Sequence, residues 1–302
     1  MRLSLKQSGF IAVIAVLIVA IIGVSFLVMR NQVETNPSGG IEVLTDKQAS
    51  DGMIVIKDLY NGEMEIPKYD IPISQYSKNK FVEESGIITY GDNYALGITV
   101  HSNLGDIDWQ QVAGAGIDFV MIRVGYRNYN RGDIQIDEKF EENIQGAADA
   151  GLDIGVYFYS QAISTLEAEQ EAEEVLERIK SHSITYPVAI VWEFVTNPKE
   201  GVTPRTQNCT KTEITSYINA FCDKVKKTGY KAAYSATKTM GYEEIDISKL
   251  TAYDLWYYEY RSAPSFYYDY KMWLYSTEGT VPGISESNSV SMTLAMNKYS
   301  KS

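Results

Sequence analysis

The chain has 302 residues and a formal net charge of −12 at neutral pH. This length allows an N-terminal attachment segment followed by one globular domain of about 200 residues. The acidic balance argues against nucleic acid as a partner, because a phosphate backbone would be repelled over most approaches. The only histidines are His101 and His182, which leaves neither a histidine-rich metal site nor a serine-histidine relay. We therefore expect no metal and no cofactor.

Residues 9–29 form an uncharged apolar run, GFIAVIAVLIVAIIGVSFLVM. As a helix this run is about 31 Å long, which matches a hydrocarbon core of about 30 Å. A cleaved signal peptide is the alternative, but its apolar region is usually about 7–15 residues long, and no A-x-A-like site follows before Arg30. Arg2 and Lys6 precede the run, so the excess of cations favours an N-terminus inside the cell. The prediction is a single-pass plasma-membrane protein with a cytoplasmic tail (residues 1–8), a transmembrane helix (9–29) and an extracytoplasmic remainder.

Residues 30–93 mix polar residues, Pro and Gly with short apolar pieces, which is typical of an extracytoplasmic spacer with some strand pairing. The stretch GIITYGDNYALGITV has two β-rich runs around Gly91-Asp92-Asn93. This pattern predicts a β-hairpin that leads into the main domain. The main domain is predicted to cover residues 94–302.

From Tyr94 onward, strand-like and helix-like segments alternate, in the order DFVMIRV, DEKFEENIQGAADAG, LDIGVYFYS, TLEAEQEAEEVLERIKSH, PVAIVWEF, KTEITSYINAFCDKVKK and YKAAYSA. The alternation predicts an α/β fold with a parallel barrel or an open sheet. Glycines stand where a helical stretch gives way to a strand, the place for a left-handed helix cap: Gly116, Gly151 and Gly229. If Cys209 and Cys222 share one helix, they are roughly 20 Å apart, too far for a disulfide.

Several strings occur in an order that resembles glycoside hydrolase family 25, the muramidase or lysozyme-like enzymes. They are GDIDW, AGIDFVMIRVGYR, DEKFEENIQGAADAGLDIGVYFYSQA, YPVAIVWEF, LWYYEY and MWLYSTEGTVPGI, and they run from about Gly97 to Met292. The resemblance implies an irregular, TIM-like β/α barrel with an acidic groove at the C-terminal ends of its strands. It also implies peptidoglycan as the partner, through its chain of alternating N-acetylmuramic acid and N-acetylglucosamine.

Glycoside cleavage needs a proton donor and a second group that stabilises the cationic sugar. The family places an aspartate, and a glutamate two residues later, at a strand end, where the period of two points both into the groove. Glu193 occupies the proton-donor position of PVAIVWEF, whereas Val191 stands where the family has its aspartate. The other departures replace two aspartates, by Thr99 and Ser291, and two glutamines, by Leu104 and Leu274.

Other residues are candidates for binding the glycan, because aromatic rings offer flat apolar faces with polar rims. The candidates are Tyr157, Tyr159, Tyr234, Trp256, Tyr260 and Trp273, together with the acid Glu259. Core packing is the alternative for each ring, and a structural ion pair is the alternative for the acid. His101 could serve as a base near neutral pH. Asp106 and Asp108 belong to a turn and a helix start, where carboxylates cap backbone amides.

The resemblance implies four acidic groove residues, and Glu193 is the one that is present. Losing an acid-base or electrostatic partner typically costs about 10² to 10⁴ in rate. The sequence therefore predicts a membrane-anchored, lysozyme-like domain directed at peptidoglycan, with hydrolysis lost or strongly impaired. One alternative is an active muramidase that uses Glu193 with the substrate's N-acetyl group or a neighbouring acid such as Glu259. The other is an extracytoplasmic protein-binding scaffold.

Overall fold

A computed structural model describes residues 41–299, which belong to one compact unit. The predicted cytoplasmic tail and transmembrane helix, at residues 1–29, lie outside the described residues. Among the helices of residues 41–299, none is both long enough and apolar enough to cross a membrane.

The N-terminal part of the described chain forms two small antiparallel sheets. Its strands are β1 (Glu42–Val43), β2 (Met53–Asp58), β3 (Gly62–Pro67), β4 (Phe81–Glu84) and β5 (Ile87–Tyr90). β1, β2 and β3 form one sheet, which we call the N-terminal sheet, and β4 pairs with β5 in a hairpin. The turn of that hairpin is Ser85-Gly86, where both residues have positive φ.

Eight of the following strands close into a barrel, and a short ninth strand extends it. They are β6 (Ala95–Val100), β7 (Phe119–Arg127), β8 (Ile134–Ile136), β9 (Asp153–Ser160), β10 (Val188–Trp192), β11 (Ala232–Thr237), β12 (Asp254–Tyr258), β13 (Met272–Gly279) and β14 (Val290–Ala295). From β6 to β13 the barrel neighbours are parallel; β14 is antiparallel to both β13 and β6, and β8 pairs only with β7. The predicted α/β barrel is confirmed.

The predicted hairpin around Gly91-Asp92-Asn93 is wrong in its pairing. Both edges of β6 are occupied inside the barrel, by β7 and by β14. β5 therefore pairs with β4 instead, and residues 91–93 only connect the hairpin to the barrel.

The helices are α1 (Trp109–Gly114), α2 (Phe140–Asp149), α3 (Thr165–Ile179) and α4 (Lys211–Lys227). The predicted glycine caps are confirmed: Gly116, Gly151 and Gly229 follow α1, α2 and α4 with φ of 84°, 78° and 93°. Asp108 caps α1 as predicted, accepting from the Gln111 amide at 3.1 Å, whereas Asp106 pairs with Lys139. Cys209 lies just before α4 and Cys222 within it, and both are free. Between β11 and β12 the chain makes only short turns, at Met240–Glu244 and Ile247–Lys249.

Two apolar cores hold this fold together. The larger lies between the strands and the helices, and the smaller fills the barrel interior with residues such as Phe119, Met121, Tyr157 and Trp256. The interior is closely packed, since a Cβ added at Gly97 would lie 2.3–2.5 Å from the Phe119 ring. The barrel interior is therefore filled with side chains. We call the end of the barrel where the parallel strands finish its mouth.

Candidate functional site

Glu193 is the central carboxylate at the C-terminal end of the barrel. It directly follows β10, and Val191, two residues earlier, packs in the barrel interior. Because side chains alternate along a strand, Glu193 continues that inward-facing row at the mouth. The Tyr159 hydroxyl donates to Glu193 Oε2 at 3.2 Å, and Gln161 Nε2 donates to the Glu193 carbonyl oxygen at 2.6 Å. The two hydrogen bonds therefore hold both the side chain and the backbone of Glu193.

Tyrosines from two strand ends surround this carboxylate. Burial and the negative charge of Glu193 both raise the pKa of Tyr159, Tyr258 and Tyr260. All three rings therefore lie close enough to interact with Glu193 electrostatically. Tyr260 is 56% exposed, so its ring is open to a ligand at the rim of the mouth.

The Glu193 carboxyl has a pKa above its ordinary value of 4.5. Burial is the main cause; the Tyr159 hydrogen bond opposes it, and the negative charge of Glu244 adds to it. Glu244 comes from the turn after β11. A raised pKa keeps a larger fraction of Glu193 protonated near neutral pH, as a proton donor or a hydrogen-bond donor to a sugar requires.

A cation lies on β7, the strand that pairs with β9, which carries Tyr159. Arg123 Nε and Nη2 bind Asp137 Oδ2 at 2.8 and 2.7 Å, and Asp137 also accepts from the amides of Ser102 and Lys139. Burial and the Arg123 charge lower the pKa of His101, so this imidazole is neutral near pH 7. Its Nδ1 is buried and has no hydrogen-bond partner among residues 41–299.

The residues predicted to replace family aspartates and glutamines can be placed in the fold. Thr99 and Ser291 are paired residues on the adjacent strands β6 and β14. Val191 is the strand partner of Tyr159. Leu104 and Leu274 are buried, the latter in the barrel interior. Within residues 41–299, no group of three or more His, Cys, Asp or Glu could hold a metal ion.

The predicted glycan-binding residues separate into three groups. Tyr159 and Tyr260 lie beside Glu193, as described above. Tyr157 and Trp256 are buried beneath them, with the Trp256 ring edge-on to Tyr157 at a centroid distance of 6.1 Å. They form the floor of the mouth.

The third group lies outside the mouth. Tyr234 and Trp273 belong to the core between the strands and the outer elements. The Trp273 indole nitrogen donates to the Glu259 carbonyl oxygen at 2.8 Å. The Glu259 carboxylate is an ion-pair partner of Lys238 at 3.2 Å and accepts from Ser265. Glu259 thus forms an ion pair, which was one of its two predicted roles.

Sequence reasoning missed three residues of the mouth: Tyr258, Glu244 and Arg123. Tyr258 stands between Trp256 and Tyr260 at a spacing of two, so strand periodicity could have found it. Arg123 continues the inward row of Phe119 and Met121. Glu244 comes from an irregular turn, where no sequence period applies.

The profile of glycosyl hydrolases family 25 matches residues 98–284, more than half of the chain. Two similar proteins are an autolytic lysozyme from Clostridium acetobutylicum and lysozyme-like protein 7 from Caenorhabditis elegans. The first is 28% identical over 63% of this chain and 53% of its own length, the second 27% identical over 55% and 54%. The chain thus spans about half the length of these relatives.

Solved structures with the same fold include the modular autolysin LytC from Streptococcus pneumoniae and a family 25 glycosyl hydrolase from Bacillus anthracis. LytC has a TM-score of 0.56 at 22% identity, covering 83% of this chain and 58% of its own. The Bacillus anthracis protein has a TM-score of 0.56 at 18% identity, covering 70% of this chain and 95% of its own. At these identities the likeness concerns the fold, and membership rests on the profile match. This chain belongs to glycosyl hydrolases family 25.

Proposed function

We propose that this chain is a membrane-anchored family 25 domain that faces the cell exterior and binds peptidoglycan glycan strands in the mouth of its barrel. We further propose that hydrolysis of the β-1,4 bond after muramic acid is lost or strongly impaired. The proposal rests on one feature: Glu193 is surrounded by tyrosines, while Thr99, Val191 and Ser291 put hydroxyl or apolar groups at the positions where the sequence resemblance implies aspartates.

The reaction chemistry explains why a missing second carboxylate would impair hydrolysis. Both inverting and retaining glycosidases use a pair of carboxyl groups on opposite sides of the scissile bond. Glu193 can donate a proton, because its pKa is raised. A cationic sugar beside Val191 and Thr99 would find no negative charge from those side chains, so its formation would be slow.

Binding is supported by the same residues. Tyr159, Tyr258 and Tyr260 offer ring faces and hydroxyls, and Arg123 on the neighbouring strand β7, held by Asp137, is a further donor. One LytC structure is described as a complex with a synthetic peptidoglycan ligand, and glycan strands are the ligand we propose here. The anchor is supported by the apolar run at residues 9–29.

The test uses the full-length chain in detergent micelles. Retention on insoluble peptidoglycan measures binding, and release of reducing ends measures hydrolysis. We expect retention without turnover, and weaker retention for Tyr260→Ala than for Tyr230→Ala, whose position two residues before β11 is at the opposite end of the barrel. Loss of retention would leave the protein-binding scaffold as the better account.

Membrane anchoring predicts that the chain stays in the membrane fraction after alkaline extraction and that deleting residues 1–30 releases it.

Restoring the acids tests the impaired step. The triple variant Thr99→Asp, Val191→Asp, Ser291→Asp should gain turnover that depends on Glu193, and adding Glu193→Gln should abolish it. Robust turnover by the unmodified chain, abolished by Glu193→Gln, contradicts the proposal.

An active muramidase is the second candidate, and one observation favours it. The negative charge of Glu244 acts on Glu193, so a second carboxylate is near the proton donor. If Glu244 serves as the second catalytic carboxylate, Glu244→Gln should abolish the turnover of the unmodified chain. Glu243→Gln is the matched control, because Glu243 is the neighbouring acid of the same turn and its charge acts on Glu244.

A further inference from the structure

The N-terminal sheet is joined to the rim of the mouth by a buried ion cluster. Asp58, at the end of β2, binds Lys238 Nζ at 2.6 Å. Lys238 also lies 3.2 Å from Glu259 and donates to the Ser265 hydroxyl. Ser265 in turn donates through its amide and its hydroxyl to Glu259, both at 2.6 Å. We call these four residues the rim cluster.

A second contact lies beside the rim cluster. The Tyr60 hydroxyl donates to the Ala263 carbonyl oxygen at 2.8 Å. The Arg261 guanidinium lies over the Tyr60 ring, 5.2 Å from its centroid. The loop of residues 259–266 is therefore held from the N-terminal sheet at both its backbone and its side chains.

These contacts reach the groups that surround Glu193. The 259–266 loop directly follows Tyr258 and carries Tyr260, whose pKa Glu193 raises. Lys238 is the first residue after β11 and stands just before the turn that carries Glu244. The rim cluster thus fixes the starting points of both segments that approach Glu193 from this side.

The burial and charge of the rim cluster favour a single arrangement of its side chains. The Asp58 side chain is fully buried, and the side chains of Lys238 and Glu259 are 15% and 12% exposed. Burial raises the pKa of Asp58, but the Lys238 bond and the amides of Tyr60 and Asn61 outweigh it, so the pKa is lowered and Asp58 is ionised. A buried ion pair adds little net stability compared with an apolar pair, yet removing one partner leaves an uncompensated charge. A displaced 259–266 loop would separate the largely buried Glu259 carboxylate from both Lys238 and Ser265.

We propose that the N-terminal sheet is a positioning element of the glycan site, with Asp58 and Tyr60 as its positioning residues. Asp58 acts through the rim cluster and Tyr60 through its contacts with Ala263 and Arg261, and together they set where Tyr260 stands relative to Glu193. The chain between the predicted anchor and the barrel is on this account part of the binding unit. The inference rests on the proposed glycan-binding function, and part of its test does not depend on that function.

The test compares two tyrosine variants of the full-length chain. Tyr60→Phe removes the hydroxyl bonded to Ala263, next to the rim. Tyr76→Phe is the matched control, because its hydroxyl also ties the N-terminal segment to the barrel, at the Tyr270 carbonyl oxygen at 3.1 Å, but before β13 begins. Asp58→Asn and Glu65→Gln form a second pair, since Glu65 is an exposed β3 residue whose hydrogen bonds within the described part of the chain go to Ser50.

Two readouts are measured well below the melting temperature: amide hydrogen exchange in residues 259–266 and retention on peptidoglycan. We expect Tyr60→Phe to weaken glycan affinity about threefold and Asp58→Asn about tenfold, with faster exchange in the loop, since a hydrogen bond to a charged group is worth more than a neutral one. Tyr76→Phe and Glu65→Gln should leave both readouts unchanged.

The outcomes separate this inference from the proposed function. If the unmodified chain binds glycan and Tyr60→Phe behaves like Tyr76→Phe in both readouts, the positioning role is wrong. If the unmodified chain does not bind glycan, the proposed function fails, and exchange alone decides whether the sheet positions the loop. Unchanged exchange in Asp58→Asn would then overturn the inference.

Discussion

The Tyr159 hydroxyl and Glu193 Oε2 lie 3.2 Å apart and form a hydrogen bond in which the tyrosine is the donor. This bond stabilises the ionised carboxylate, so it lowers the pKa of Glu193 against the larger effect of burial. Tyr159 therefore limits how strongly Glu193 holds its proton.

Replacing Tyr159 by Phe should raise the pKa of Glu193, because the carboxylate loses a donor and keeps its burial. A pH titration of the carboxyl by carbon-13 NMR measures the change. Tyr157→Phe is the control, since the Tyr157 hydroxyl makes no hydrogen bond to Glu193 among the described residues. A pKa that stays the same or falls in Tyr159→Phe would show that the bond does not act on the carboxylate.

Replacing Glu244 by Gln should lower the pKa of Glu193, because a nearby negative charge that disfavours ionisation is removed. The same titration detects it. Glu243→Gln is matched in chemistry and position, but the charge of Glu243 acts on Glu244. An equal effect of the two substitutions would mean that Glu244 has no special relation to Glu193.

The raised pKa of Glu193 also predicts how stability depends on pH. Below the ordinary value of 4.5 the residue is protonated in both the folded and the unfolded chain. Above that value the unfolded chain loses its proton first, so the free energy of unfolding falls until the folded-state pKa has also been passed. This part of the stability is present in acid and lost as the pH rises.

Glu193→Gln should remove this fall in the free energy of unfolding with rising pH. The glutamine does not ionise, and its amide oxygen can still accept the Tyr159 hydrogen bond. We expect a gain of about 1 kcal/mol at pH 8, of the size common when a functional site is neutralised. Such a gain would raise the melting temperature by about 2–4 °C. Calorimetric scans at pH 4 and pH 8 check this. A gain that is equal at both pH values would assign the effect to packing.

Much of the fold follows from sequence periods. The alternation of strand and helix, the glycine caps at Gly116 and Gly151, and the two-residue step from Val191 to Glu193 all reflect local geometry. These features depend on φ and on side-chain direction within one element. They can therefore be read without knowing which elements meet.

The composition of the mouth could not be predicted in the same way. Barrel strands are apolar on both faces, so no alternation tells whether Tyr234 and Trp273 point inward or outward. Glu259 pairs with Lys238, which also binds Asp58, 180 residues earlier in the sequence. The β4–β5 pairing likewise depends on β6 being occupied on both edges.

The contact between Gly97 and Phe119 predicts a sharp limit on barrel packing. A methyl group added at Gly97 would overlap the Phe119 ring, so Gly97→Ala should destabilise the chain by about 1–3 kcal/mol. Gly114→Ala is the control, because a Cβ at this helical position meets nothing within 4 Å and favours the helix. Urea unfolding gives both values. The smaller ring-free side chain of a Phe119→Leu background should relieve the overlap, so the cost of Gly97→Ala should shrink there. An undiminished cost would place its origin in the β6 backbone, because the ring would no longer be present to clash.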